Sequence, residues 1–462
     1  MSEPPQQQRQ QQHPKQQPAS GAVPERATAP LLLALVAVQV CLHSAMAGLR
    51  LAAPLMMLRQ GPTPWWSAEA AAGLLLGLFA AAPVFLVVPA GRWVDRRGYH
   101  RPMRAAVVMG LLAGLGAVPT VASHQHGGPL AALWQWPLLV LSATLAGTSG
   151  NVGLIAMQRS AGRLVEGQDG SAQGRSGELR RIFSWLGLAP ALGNMIGPAL
   201  AGLLIDGLGF AACFALIGLL PLGAAYGARR VPPDDPSRRG TAPVLPPSPS
   251  AATAAAPATP VPQGAAVARP RSVMDLLRLP GLASLLLLNW FFSTSWDLHA
   301  FLVPLLGHER GLSASAIGGV LGLFALSVAG VRLLIPLVAQ HLQERWVLAG
   351  TMAVAAAVFA VYPAMQTAWQ MSLCALTLGL ALGAVQPMIM TALHHCAPPD
   401  RQGEAIALRS AVINSSSTLL PMAFGLIGAA VGPTLLFRGM TAVLLLVGLP
   451  LAWRWRPQAV QG

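Results

Sequence analysis

Twelve apolar stretches organise this chain, each close to or longer than the ~20 residues a helix needs to cross a bilayer. They run at about 31–57, 69–90, 103–122, 132–157, 182–205 and 209–228, then again at about 279–306, 313–338, 346–364, 369–392, 405–431 and 434–453. Lipid offers the backbone no hydrogen-bond partners, so stretches of this kind must become helices that satisfy themselves. Only 10% of the 462 residues are charged, against roughly 25% in soluble proteins, which is too few to cover a water-exposed surface. Mean hydropathy is +0.54. The expected fold class is all-α integral membrane.

The breaks between stretches divide the chain. Residues 1–29 are rich in Gln and Pro, contain no apolar stretch that resembles a signal peptide, and are expected to form a disordered cytoplasmic tail. Residues 30–228 hold six apolar segments, and 276–455 hold six more. Between them, 229–275 carries eleven prolines and two arginine pairs in Ala/Thr/Pro-rich low complexity, the composition of a flexible linker. Residues 456–462 form a short terminal tail. An internal repeat supports the division. Leu76-Gly77-Leu78-Phe79-Ala80 recurs as Leu321-Gly322-Leu323-Phe324-Ala325, in the second segment of each half, with Ser67-Ala68 and Ser313-Ala314 upstream. Twelve helices in two pseudo-symmetric six-helix bundles are expected.

The net charge of +14 would suit a nucleic-acid partner, but its placement argues otherwise. All but one of the basic residues are Arg, and most sit in short breaks. Two dozen fall on the side of the termini and linker, while the opposite breaks hold only Arg59, Arg310 and Arg438. That asymmetry orients both termini and the linker toward the cytoplasm of a cell whose inner membrane the chain spans many times. Nucleic-acid binding is not expected. Cys41, Cys213, Cys374 and Cys396 are scattered without CxxC or Cys/His spacing, so neither a disulfide framework nor a metal site is indicated.

Between the second and third segments the chain reads Gly91-Arg92-Trp93-Val94-Asp95-Arg96-Arg97-Gly98-Tyr99-His100-Arg101. Gly91 is expected to let helices approach closely, Asp95 to accept from a helix N-terminus or an Arg, and Gly98 to permit a tight turn. A basic loop that merely sets topology is the plainer reading. Gly91, Asp95, Arg96 and Gly98 match the signature loop of the major facilitator superfamily, G-x-x-x-D-R-x-G-R/K-R/K. Tyr99 and His100 depart from its basic pair, and Arg101 follows. With the six-plus-six arrangement, residues 30–455 resemble that family, which implies the major facilitator fold and transport without a cofactor. In the fifth segment, Gly193, Gly197, Pro198 and Gly202 resemble the motif of exporters in the family. Ser184 stands where an earlier Gly belongs, and Ala201 replaces the first of the paired glycines. Small-residue packing explains the same pattern. The fourth-segment Arg of proton-coupled exporters is missing, Ala146 and Gly150 occupying its register.

Ionisable residues within the membrane are functional candidates by default. Gln39, His43, Met46 and Arg50 are spaced as one stripe of the first helix. Asn289, Ser293, Trp296 or Asp297, and Ala300 form a similar stripe in the seventh. The resemblance places both helices beside a central cavity, so Arg50 and Asp297 are candidates for a pair that gates the outer side. A static pair, or separate partners, is the alternative. Asp297, His43 and His299 are candidates to carry a coupling proton, although a lone histidine is more commonly a packed one. Gln39, Asn151, Asn289, Trp296, Gln386, Arg409 and Asn414 are candidates to line a substrate cavity, with helix–helix hydrogen bonding as the alternative for the polar ones. Arg332 is expected to snorkel toward the cytoplasmic face. The expected function is secondary active transport of a small organic solute by alternating access, proton-coupled and directed outward. The partners are the solute, H+ and the bilayer, acting on a monomer. Uptake of an organic anion and non-transporting solute sensing are the alternatives. No catalytic array or nucleotide-binding loop suggests an enzyme.

Overall fold

A computed structural model describes residues 25–62, 66–126, 129–166, 172–232, 273–279, 281–338, 343–397 and 402–455. The tail 1–24, most of the linker (233–272) and the tail 456–462 lie outside them. Among the described residues the chain is helical, with no strand. The helices are α1 (Glu25–Gln60), α2 (Ala68–Arg97), α3 (His100–His126), α4 (Pro129–Glu166), α5 (Ala172–Ala228), α6 (Leu282–Glu309), α7 (Ala314–Val338), α8 (Glu344–Val361), α9 (Ala368–Cys396), α10 (Gln402–Val443) and α11 (Leu449–Arg454).

Nine described runs are long and apolar enough to cross a membrane. Two of these, Leu186–Ala228 with 43 residues and Glu404–Arg454 with 51, have the length of two crossings each. Each turns back once, at Gly209 (φ 82°, ψ 174°) in α5 and at Gly432 (φ 76°, ψ 164°) in α10. Positive φ in this region is open essentially to glycine alone, so both reversals are written into the residue type. The remaining crossing is α6, 28 residues long and buried along most of its length. Asn289, Ser293, Thr294, Ser295, Asp297 and His299 make it too polar to register by hydropathy. A membrane helix of that composition must turn its polar side to protein or a cavity. The described chain is therefore a twelve-helix, multi-pass membrane protein. Exposed apolar side chains such as Leu33, Phe85, Leu203 and Leu446 suit a surface facing lipid.

The duplication runs deeper than its pentapeptide. Gly73 and Gly77 of α2 answer at one offset to Gly318 and Gly322 of α7, while Pro198, Gly202 and Gly209 of α5 answer at another to Pro421, Gly425 and Gly432 of α10. The contacts obey the same symmetry. Gly73 packs on the Pro421 carbonyl and Gly318 on the Pro198 carbonyl; Gly77 meets Thr418 and Gly322 meets Met195; Gly425 meets Glu69 and Gly202 meets Ala314. Two helix pairs, α2 with α10 and α5 with α7, thus join the halves about a pseudo-twofold axis.

All these contacts fall in the half of the membrane remote from the arginine-rich loops. We call that side the far face and the other the basic face. The main apolar cluster crosses between the halves at the far face, where Leu55, Met56 and Ala68 join Phe301, Leu302, Ala314 and Ile317. Toward the basic face the first half keeps a separate cluster around Leu35, Tyr99, Met103 and Ala224. The two bundles are closed together at the far face, and their cores part toward the basic one.

Candidate functional site

Where the halves meet at mid-depth, α1 and α6 bring their charges together. Arg50 Nη2 lies 3.9 Å from Asp297 Oδ1, with the Asp297 side chain 3% exposed. The carboxylate also accepts from Ser416 Oγ at 2.9 Å and Ser417 Oγ at 3.2 Å, both on α10. Asp297 thereby ties α6 to α10 within its own half, and to α1 in the other. The long Arg50 contact is the weakest of these links. Low dielectric strengthens it, and losing one partner strands the other's charge.

Arg50 and Trp296 stand between two cavities. The smaller, of about 60 Å³, lies toward the far face and is bordered by Ala47, Asn194, Pro198, His299, Leu321 and Phe324. The larger, of about 260 Å³, lies toward the basic face; Asn289, Phe292, Ser293, Arg332, Gln386 and Arg409 are in its wall, with Asp297 and Ser417 at its depth. Leu76 of the repeat borders the smaller cavity together with Leu321, its counterpart. Arg332 Nη2 donates to Gln386 Oε1 at 2.7 Å. Its reading as a snorkelling residue is corrected: α7 turns it inward to α9 rather than out to headgroups. Arg409 is buried near enough to Arg332 for the two charges to repel.

The seventh-segment stripe is a cavity face, since Asn289, Ser293, Trp296 and Asp297 all border the larger space. The first-segment stripe is not. Gln39 is fully buried and donates to the Gly150 carbonyl of α4 at 3.1 Å, Met46 packs on Gly150, and His43 packs on Gly193 beside Asn194 of α5. Helix α1 is enclosed by α4 and α5, so its polar residues are shared among neighbours and only Arg50 reaches the cavities. Asn151 is corrected likewise: its amide donates to Gly147 O of its own helix at 2.9 Å and borders neither cavity. Asn414 is half-buried on α10, while Ile413 and Ser417 beside it take the lining positions. His299 is fully buried between Phe324 (ring centroids 4.4 Å) and Tyr362 (5.8 Å), and neither ring nitrogen has a hydrogen-bond partner among the described residues.

The segment-five motif has a packing role. Gly193 receives His43, Gly197 receives Ser44 and Gly48 of α1, the Pro198 carbonyl receives Gly318, and Gly202 receives Ala314 of α7. One face seats α1 and the other joins the halves. In the loop after α2, Gly98 caps the helix with φ 73° and donates to Val94 O at 2.9 Å, giving the tight turn its residue type suggests. Gly91 is a correction: among the described residues a Cβ there would meet nothing within 4 Å, so no close helix contact needs a glycine there in this conformation. The Asp95 side chain lies outside the described ones; Arg96 and Arg101 are exposed.

Sequence reasoning missed Asp206. Its carboxylate accepts from the backbone N–H of Ala314 at 3.0 Å and of Ser315 at 2.6 Å, capping α7 across the interface, and Arg59 lies 3.9 Å away. Each of α2 and α7 also has a local serine cap, Ser67 accepting from Ala70 N–H and Ser313 from Ala316 N–H, both at 3.2 Å; the Asp206 contacts are additional. A cap supplied from more than a hundred residues away has no local signature.

Two six-helix bundles related by a pseudo-twofold, with a cavity between them and the halves closed on one face, form an arrangement shared by many transporters. The Major Facilitator Superfamily profile matches residues 35–295 and 285–462. The chain belongs to the major facilitator superfamily. No curated protein matches it. A bacterial homologue of the iron transporter ferroportin, in an inward-facing state, superposes with a TM-score of 0.63 at 18% identity, covering 92% of this chain and 98% of that one. A POT family transporter in complex with 5-aminolevulinic acid gives 0.62 at 11%, covering 91% and 94%. Another, in complex with a thioalcohol-conjugated peptide, gives 0.60 at 10%, with the same coverage. At such identities the likeness is one of fold. This family member is a secondary transporter in kind.

Proposed function

We propose that this transporter moves a small organic solute outward across the inner membrane by alternating access, with proton entry as the driving reaction and both termini cytoplasmic. The observation that carries the reading is the Arg50–Asp297 contact, the point at mid-depth where a titratable acid links the two halves. Closure at the far face and separate cores toward the basic face are what a state open to the cytoplasm requires, the basic face being cytoplasmic by its arginines. In the far-open state Asp297, parted from Arg50, takes a proton from the far side while the serines hold the neutral acid; on return to the closed far face the proton leaves toward the cytoplasm and the Arg50 contact re-forms. Solute held in the cytoplasm-open state draws Arg50 from the carboxylate, and the first half rocks outward about the glycine-lined pairs α2–α10 and α5–α7. Outward direction rests on the segment-five motif, with 30–228 and 276–455 acting as the moving bodies.

Inverted membrane vesicles test this directly. A panel of labelled solutes is offered with and without a lumen-acid gradient imposed by respiration or by diluting acid-loaded vesicles into alkaline buffer. Uptake into the vesicles that collapses with a protonophore is the expected result. Accumulation of solute indifferent to the gradient, or only in right-side-out vesicles, would overturn coupling or direction respectively.

A further inference from the structure

The larger cavity has a charge imbalance that its own side chains leave standing. Arg50, Arg332 and Arg409 border it against one acid, Asp297. That acid is already engaged by Ser416, Ser417 and Arg50. Arg332 has a neutral partner, the Gln386 amide. Arg409 has no hydrogen-bond acceptor among the described residues, and the Nε atoms of both arginines are buried without one. Two guanidinium groups close enough to repel are costly in a partly dehydrated wall unless an anion sits with them. Their planar forks match the oxygens of a carboxylate, sulfonate or phosphate two at a time. Among the neutral wall residues, Phe292, Trp296, Leu382, Val385 and Ile413 are apolar and suit a hydrocarbon or aromatic body. Among the described lining residues a cationic solute finds no free acid.

We infer that the cargo is a small organic anion whose acidic head is held between Arg332 and Arg409, its apolar body lying toward Phe292 and Trp296. This rests on the cavity being the transport site proposed above, and names the substrate class of that site. Both arginines lie on the second half, on α7 and α10, so the anion is gripped by one bundle. The first half contributes Arg50 at the cavity's depth, where it also faces Asp297. The same chemistry describes an anionic lipid headgroup, and the experiment separates the two.

Purified full-length protein in a neutral detergent is probed by thermal stabilisation with solutes of similar carbon skeleton: 3-phenylpropionate, phenyl phosphate and benzenesulfonate against 3-phenylpropylamine and 3-phenylpropionamide. At least one of the three acids is expected to raise the melting temperature, and neither the amine nor the amide. Arg332→Gln and Arg409→Gln are each expected to weaken acid binding at least tenfold, and Arg409→Lys, which keeps the charge without the fork, by an intermediate factor. If the glutamine variants do not fold, the lysine variant carries the comparison. Binding of the amine or amide as tightly as the acids, unaltered acid binding in the variants, or no acid binding overturns the inference. Displacement by phosphatidylglycerol without any response to the soluble acids assigns the site to lipid and also overturns it. Counterflow in proteoliposomes separates this from the transporter reading. Acid binding without flux removes the transporter and keeps the anion site. Flux of the amine or amide keeps the transporter and removes the anion.

Discussion

If the far face is held shut by small-residue contacts, adding one carbon to each should tilt the conformational equilibrium. A Cβ built on Gly425 would stand 2.6 Å from the Glu69 carbonyl oxygen and 3.0 Å from Gly73 Cα, where ordinary contact begins at 3.4 Å. The symmetry-related Cβ on Gly202 would overlap the Ala314 carbonyl and lie 2.7 Å from Ser315 Cα. All of these obstacles are backbone, so relief requires the paired helices to part by about 0.8 Å at Gly425 and further at Gly202. Overpacking of this kind costs about 1–3 kcal/mol, and it acts only while the far face is closed. Each alanine should therefore favour the far-open state by about 5- to 150-fold, and the double variant by about the product, since the two contacts share no partner. The assay is a single reporter cysteine at Ser293, with Cys41, Cys213, Cys374 and Cys396 replaced, labelled by an impermeant maleimide from either face. Gly202→Ala/Gly425→Ala should raise far-face labelling and lower basic-face labelling. Gly319→Ala, where a Cβ meets nothing within 4 Å, should leave the ratio alone. A double variant with wild-type labelling and an unchanged melting temperature would show that something other than these contacts closes the face.

Three further outcomes are expected. Asp297→Asn should leave solute counterflow within a few fold and reduce proton-driven net transport at least tenfold, read in the same proteoliposomes; retained coupling would remove Asp297 from the proton path. Asp206→Ala should raise far-face labelling as the alanines do, because α7 keeps its own Ser313 cap but loses the Ala314 and Ser315 N–H contacts that tie it to α5, worth about 0.5–2 kcal/mol. Its half-exposed contact with Arg59 adds at most ~1 kcal/mol, so Arg59→Gln should act more weakly, and the reverse order would contradict the capping argument. Gly98→Ala should cost about 1–3 kcal/mol, because φ 73° with ψ −165° is nearly closed to other residues. Gly91→Ala, with open space around it, should leave the melting temperature within a degree or two.

The architecture was legible because lipid makes a simple demand. A stretch of about twenty apolar residues has few alternatives to helix, and twelve of them with one Pro-rich interruption leave little room for another fold class. The repeated pentapeptide pointed to duplication, and the seventh-segment stripe of Asn289, Ser293 and Asp297 became a cavity wall because α6 is buried along most of its length. The identical logic failed for Gln39, and Asn151, chosen for its polarity alone, bonds within its own helix. A periodic polar stripe reports that a helix has a polar side; whether that side meets a cavity or another helix depends on the neighbours, and α1 is enclosed by α4 and α5. Arg332 was misjudged for a related reason, because depth along a helix is readable from sequence but azimuth around it is not.

Residue types alone determined the crossings, the turn at Gly98, and the scarcity of charge that makes each intramembrane ion informative. These are local matters, decided by solvation of the backbone and by which φ a residue can adopt. Which charges meet was decided only by tertiary structure. Arg50 and Asp297, Asp206 and the start of α7, and Arg332 beside Arg409 are separated by tens to hundreds of residues. Their meeting follows from how two duplicated bundles pack about a shared axis, where electrostatic partners are set by helix neighbours rather than by distance along the chain.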